Sequence, residues 1–208
     1  MFLQAISNIP LYLATGIAAS IIGALPFGLV NLSVLQSAVN KGIRSTLPVS
    51  TGASVVEIGY GMAGIFAGKF IWEYTHNNLW FHIISASILL ATGVVFFIRK
   101  SKFEFNFNPT FGGFSYGVLL NLLSLQVLAY WIIAGSILSS AGLLPHAPAT
   151  IAIFLAGIAM GKMGTLWAYA FFGKEIIGRS ERISRNINRL VGVILMAVAA
   201  VVMVKGFM

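Results

Sequence analysis

A chain of 208 residues with 58% hydrophobic and 9% charged side chains is far more apolar than a water-soluble domain, in which about a quarter of the residues are charged. Its acidic residues are all glutamates, Glu57, Glu73, Glu104, Glu175 and Glu181, too few to cover a soluble surface, and with no cysteine it has neither a disulfide framework nor a thiolate metal site. The formal charge of +8 points to nucleic acid only until it is mapped, because most Lys and Arg fall in three short segments between apolar runs, Lys41 and Arg44, Arg99 to Lys102, and Lys174 to Arg189, the pattern of a membrane topology signal.

The first apolar run, Leu11 to Val39, has no basic residue before it and exceeds the ~7–15 residues of a signal-peptide core, so it reads as a retained membrane helix. In its middle stands Gly23-Ala-Leu-Pro26-Phe-Gly28-Leu-Val-Asn31. Pro26 removes a backbone donor and clashes with the preceding turn, which predicts a kinked or discontinuous helix. A half-helix starting after the break aims free N–H groups at the middle of the membrane, where transporters hold anionic groups; the bland alternative is an ordinary proline kink. The second run, Leu47 to Gly68, contains Glu57, and the third, Leu79 to Ile98, just meets the length needed to span. The fourth, Phe111 to Ser139, carries a polar interruption at Asn121, Ser124 and Gln126 without a proline, and the fifth, Pro148 to Gly173, contains Lys162. The sixth, Leu190 to Val204, is short and must reach backward, to a span of 188–205, with its arginines snorkelling. His76 and His82 beside Trp80, and His146 between Pro145 and Pro148, read as interfacial and loop residues; no metal site is expected of them.

The expected fold is an all-α integral membrane protein of six transmembrane helices. Basic residues concentrate after the first, third and fifth runs, which places both termini outside. Three spans per half then make residues 1–105 and 106–208 two inverted three-helix repeats. Sequence supports this: Gly52, Glu57, Gly59, Gly68 and Lys69 in the second run recur as Gly157, Lys162, Gly164, Gly173 and Lys174 in the fifth at a constant offset of 105. Ala63 with Ala168 and Phe66 with Phe171 match at the same offset.

Glu57 and Lys162 are the charges lying well inside the apolar runs. An ionisable group there costs ~2.5 kcal/mol or more, so it faces the bundle interior and has a partner or a function. The two carry opposite signs at matching repeat positions. One reading is an ion-coupling pair that opens when Glu57 takes a proton or a substrate ammonium; the other is a permanent ion pair fixing helix register. Glu57 shares a helical stripe with Ala53, Gly61, Gly64 and Gly68, suited to close helix approach, and Lys162 one with Thr165 and Tyr169, suited to a wet cavity. No constellation for catalysis is present within a loop, and no cofactor is called for; the protein is not expected to be an enzyme.

Several stretches together resemble the lysine exporter (LysE) family of amino-acid efflux proteins: Leu25-Pro-Phe-Gly-Leu-Val-Asn31, similar to its Pro-Gly-Pro motif; Lys41-Gly42-Ile-Arg44, similar to its Gly-x-Arg turn; Gly52 to Glu57, where it has Gly-x3-Gly-Asp; Gly117-Val-Leu-Leu-Asn-Leu-Leu-Ser-Leu-Gln126, where it has Asn-Leu-Leu-Asn-Pro-Lys; and Arg185-Asn-Ile-Asn-Arg-Leu-Val-Gly192. The resemblance implies a six-helix secondary exporter of amino acids or similar small metabolites in the bacterial inner (plasma) membrane, driven by H+ or Na+, with a homodimer as a further implication. Two departures stand out. Leu29 replaces the second proline, and Ser124-Leu125-Gln126 replaces Asn-Pro-Lys, so the second half loses its helix breaker and its cation, a charge Lys162 is placed to replace. The leading expectation is proton-coupled export, with Pro26, Gly28, Asn31, Asn121, Ser124 and Gln126 binding substrate and Glu57 and Lys162 coupling it to the ion. A metal or other cation efflux protein is the alternative, and a non-transporting membrane protein or membrane enzyme the third.

Overall fold

The computed structural model describes residues 9–25, 28–75, 79–98, 113–172 and 180–206, and these are overwhelmingly α-helical. In chain order the helices are α1 (Ile9–Ala24), α2 (Leu29–Lys41), α3 (Leu47–Thr75), α4 (Leu79–Ile98), α5 (Gly113–Leu122), α6 (Leu125–Ser140), α7 (Pro148–Phe171) and α8 (Ser180–Gly206), with a 3-10 turn at Ile43–Thr46. Among the described residues α7 is long and apolar enough to cross a membrane by itself; α1 with α2, bent by 81°, and α5 with α6, bent by 63°, qualify if each pair is one crossing. Large apolar side chains, among them Phe66, Phe70, Trp167 and Phe171, lie exposed on the outside, a surface that requires a lipid rather than an aqueous neighbour.

The expected bounds of the third run, Leu79 to Ile98, are those of α4, and the runs differ in two ways elsewhere. The helices of the second and sixth runs, α3 and α8, are longer than their apolar cores, reaching Thr75 and back to Ser180, because a helix continues into the interface beyond the hydrophobic stretch that marks it. The fourth run is broken even though it lacks a proline. Pro26, His76 and the 105/106 boundary between the halves lie outside the described residues.

Local chemistry sets the joints. Gly42, at a φ of 85° that favours glycine, ends α2 and returns its N–H to the Ala38 carbonyl at 3.0 Å. Ser45 Oγ then donates to the Gly42 carbonyl at 2.6 Å, and Pro48 sits in the first turn of α3, where a missing N–H is harmless. Pro148 has the corresponding place at the start of α7.

Two apolar cores result. One joins α2 and α5 to α3 and α7 around Val34, Val49, Leu120 and Leu166; the other joins α1 and α6 to α3 and α7 around Ile65, Trp131, Phe154 and Ile158. The helix breaks separate the cores, while α3 and α7 run through both. Glycines allow the approach, and they do so twice with the roles exchanged. A side chain on Gly52 of α3 would strike the Phe114 carbonyl of α5, and one on Gly117 would strike Val49 of α3. A side chain on Gly157 of α7 would strike the Leu13 carbonyl of α1, and one on Gly16 would strike Phe154 of α7. Gly64 and Gly68 of the Glu57 stripe likewise meet the backbones of Trp131 and Gly135 in α6, and α4 and α8 pair through Gly93 and Gly192. The expected use of that stripe for close packing is thereby met.

Gly59 and Gly164, which also match in the repeat, face open space, so their identity is not a packing demand. Thermal unfolding in detergent is expected to show Gly117→Val and Gly64→Val destabilised by about 1–3 kcal/mol or more, whereas Gly59→Ala and Gly164→Ala unfold at or above the parent temperature.

Candidate functional site

Between the two cores α3 and α7 bring Glu57 and Lys162 together. Glu57 lies on α3 between Ala53 of one core and Ile65 of the other, and Lys162 lies on α7 between Ile158 and Leu166 in the same manner. Lys162 Nζ is 3.0 Å from Glu57 Oε2, and the two residues are 2% and 0% exposed. At that burial the desolvation penalty on each ion is several kcal/mol, so the pair is tolerable only if further hydrogen bonds complete the carboxylate. They do. Asn121 Nδ2 of α5 donates to Oε2 at 3.2 Å, and Trp131 Nε1 of α6 donates to Oε1 at 3.0 Å. The same Asn121 amide donates to the Ala53 carbonyl at 2.7 Å, and its Oδ1 is buried with no partner. Because Nδ2 faces two acceptors, the amide orientation is fixed and the lone oxygen is a consequence of it.

The breaks beside this centre are closed by side chains from across the bundle. At the first break Asn31 Nδ2 donates to the Ala24 carbonyl at 2.6 Å and the Tyr169 hydroxyl of α7 to the Leu25 carbonyl at 2.8 Å. These are C-terminal carbonyls of α1 that no helical turn serves. At the second break the Tyr60 hydroxyl of α3 donates to the Leu122 carbonyl at 3.0 Å. Ser124, which opens α6 with φ −83° and ψ 71°, turns its Oγ back to the Leu120 carbonyl at 2.8 Å. Each break is therefore served by a tyrosine from the long middle helix of the other half. That arrangement explains how the fourth run breaks without proline: the carbonyls freed there have partners.

The residues expected to bind substrate separate into distinct places. Gly28 is the extended residue preceding α2 and, as a glycine, offers no side chain to cap the helix start. Asn31 is committed to the end of α1 and Ser124 to α5. Asn121 joins the ion pair. Gln126 lies apart, on a cavity of about 620 Å³ between α1, α4, α6 and α8. On the Lys162 stripe, Thr165 donates to its own helix at the Gly161 carbonyl and Tyr169 to the Leu25 carbonyl at the first break. Trp131, Tyr60 and Tyr130 escaped sequence reasoning, since an aromatic in an apolar run carries no local sign of what its polar atom will meet.

Removing one member of the pair strands the other, so Glu57→Gln and Lys162→Met are each expected to lower stability by about 3–5 kcal/mol, and the double variant to recover most of the loss; unfolding of the four proteins in detergent measures the cycle.

A family model described as LysE type translocator matches residues 21–206. No curated protein and no solved structure matches the chain.

Proposed function

The chain belongs to the LysE type translocator family, a family of membrane transporters of small molecules, and on that premise we propose that it is a proton-coupled secondary exporter of amino acids or similar small metabolites. The proposal includes six spans in two inverted halves, both termini outside, in the bacterial plasma membrane. The glycine contacts support the repeat, because α3 with α5 and α7 with α1 make the same approach with the roles of the halves exchanged.

The observation that carries the coupling is the Glu57–Lys162 pair, buried at the meeting of two cores and joined to both arms of the bent α5–α6 pair. With Glu57 ionised, its two oxygens take three donors, from Lys162, Asn121 and Trp131, and α3, α5, α6 and α7 are tied together. A proton on Glu57 cancels the attraction and turns one oxygen from acceptor to donor. Lys162 is then a buried cation without its anion, a state costly enough to favour either a new partner or access to water. A substrate ammonium can take the place of Lys162 on the ionised carboxylate, and a proton on Glu57 removes that site, so substrate and proton compete for the one carboxylate and each favours release of the other. Mutual exclusion of this kind is what an exchange of substrate against a proton requires.

The start of α2 adds to the same end. Its uncapped N–H groups carry the positive end of a helix dipole to the first break, where a carboxylate is stabilised by about 0.3–1 kcal/mol or more.

Counterflow in proteoliposomes with an amino-acid panel tests the reading. The parent protein is expected to exchange its substrate with a rate that changes with pH, and Glu57→Gln to exchange with a flat profile. Identical pH profiles for the two proteins overturn the coupling role.

A further inference from the structure

The cavity of about 620 Å³ lies one helix face away from the ion pair. Its wall is formed by Ala18 and Ile22 of α1, Thr92 of α4, Gln126 and Ile133 of α6 and Ile194 of α8, among others, with no charged side chain among the described lining residues. The hydroxyls in that wall are already spent: Thr15 donates to the Leu11 carbonyl at 2.7 Å, Tyr130 to the Ala19 carbonyl at 2.5 Å, and Thr92 has an interaction of its own. Gln126 differs. Its half-buried side chain makes no hydrogen bond among the described residues, and it stands in the first turn of α6, at the end of the cavity nearest the second break. The space is therefore apolar along its length with one unspent amide at one end.

Resting on the exporter reading, we propose that this cavity receives the side chain of the translocated compound, and that the compound belongs to the class with a large uncharged apolar side chain, its polar head lying at the Gln126 end. The volume lies within the ~300–1,000 Å³ range of small-molecule sites, and an apolar wall with few placed polar groups is their usual composition. A cationic side chain is disfavoured by the same lining, because a charge moved there from water meets no counter-charge among the described lining residues, only the oxygens of one amide and three hydroxyls. The cavity is also connected mechanically to the coupling pair. Tyr130 in its wall packs edge-on against Trp131, with ring centroids 5.5 Å apart, and the Trp131 indole holds Glu57 Oε1. A side chain wedged between α1 and α6 acts on the helix that carries one of the three donors to the carboxylate.

Equilibrium calorimetry on the full chain in nanodiscs, with no gradient, tests the assignment with L-alanine, L-leucine, L-phenylalanine and L-lysine. Leucine and phenylalanine are expected to bind at least about tenfold tighter than alanine, since each buried methylene is worth roughly a fourfold change in affinity, and lysine is expected not to bind. Ala18→Leu and Ala129→Leu fill the cavity from different helices at exposed small positions; either is expected to erase the preference for the larger side chains while leaving alanine binding in place. Gln126→Leu is expected to weaken all ligands by about tenfold without changing their order. Lysine binding as tight as leucine overturns the proposal. So does a leucine affinity that both filling variants leave unchanged, or a co-purified acyl chain, identified by mass spectrometry, that leucine does not displace. The exporter reading fails separately: side-chain-selective binding that the filling variants erase, without pH-dependent counterflow, retains the cavity and removes the coupling, whereas pH-dependent flux that is indifferent to cavity filling does the reverse.

Discussion

A carboxylate and an ammonium wholly removed from water set the terms for the rest of this molecule. The Glu57–Lys162 pair cannot be held by its own attraction alone, because the desolvation cost in a low-dielectric interior is comparable with the Coulombic gain. It persists because Asn121 and Trp131 supply two further donors to the same carboxylate. Those donors come from α5 and α6, the two arms of one bent helix pair, while the charges come from α3 and α7. The electrostatic requirement of one group thus fixes four helices relative to each other, and it places the polar centre where the two apolar cores meet.

Such convergence requires close backbone approach, and the glycines supply it. Gly64 against Trp131 is the instructive case, because a side chain at that position would push away the helix whose indole reaches Glu57. Packing and electrostatics are one constraint here. In lipid the hydrophobic effect gives helices no reason to associate, so close van der Waals contact and interhelical hydrogen bonds have to do so, and this protein concentrates both along α3.

The breaks present the complementary problem. A backbone carbonyl without a partner inside a membrane costs several kcal/mol. Tyr169 and Tyr60 resolve it at Leu25 and Leu122 respectively, each reaching from the opposite half of the chain. At both bends the polar backbone is thus met by side chains of the bundle itself. The large apolar cavity lies beside the face of α6 that carries Trp131, so that helix borders both the charged centre and the apolar space.

Much of this was legible in the sequence. Hydropathy alone delimited the helical runs, Pro26 marked the first discontinuity, the repeat placed Glu57 opposite Lys162, and the order of the motifs carried the family resemblance. These are properties of one residue or of a short window, and burial of a charge in an apolar run is costly wherever the run folds. What only the tertiary structure decided was the identity of the groups that make that burial tolerable. Trp131 and Glu57 are 74 positions apart, Tyr60 and Leu122 are 62, and Tyr169 and Leu25 are 144. The break at Leu122 carries no proline, and nothing in the sequence tells that Asn31, Asn121 and Ser124 meet the Ala24, Ala53 and Leu120 carbonyls, with Asn121 also on the Glu57 carboxylate. A hydrogen bond is satisfied by whichever group arrives in space, and the sequence records the demand for a partner without recording who meets it.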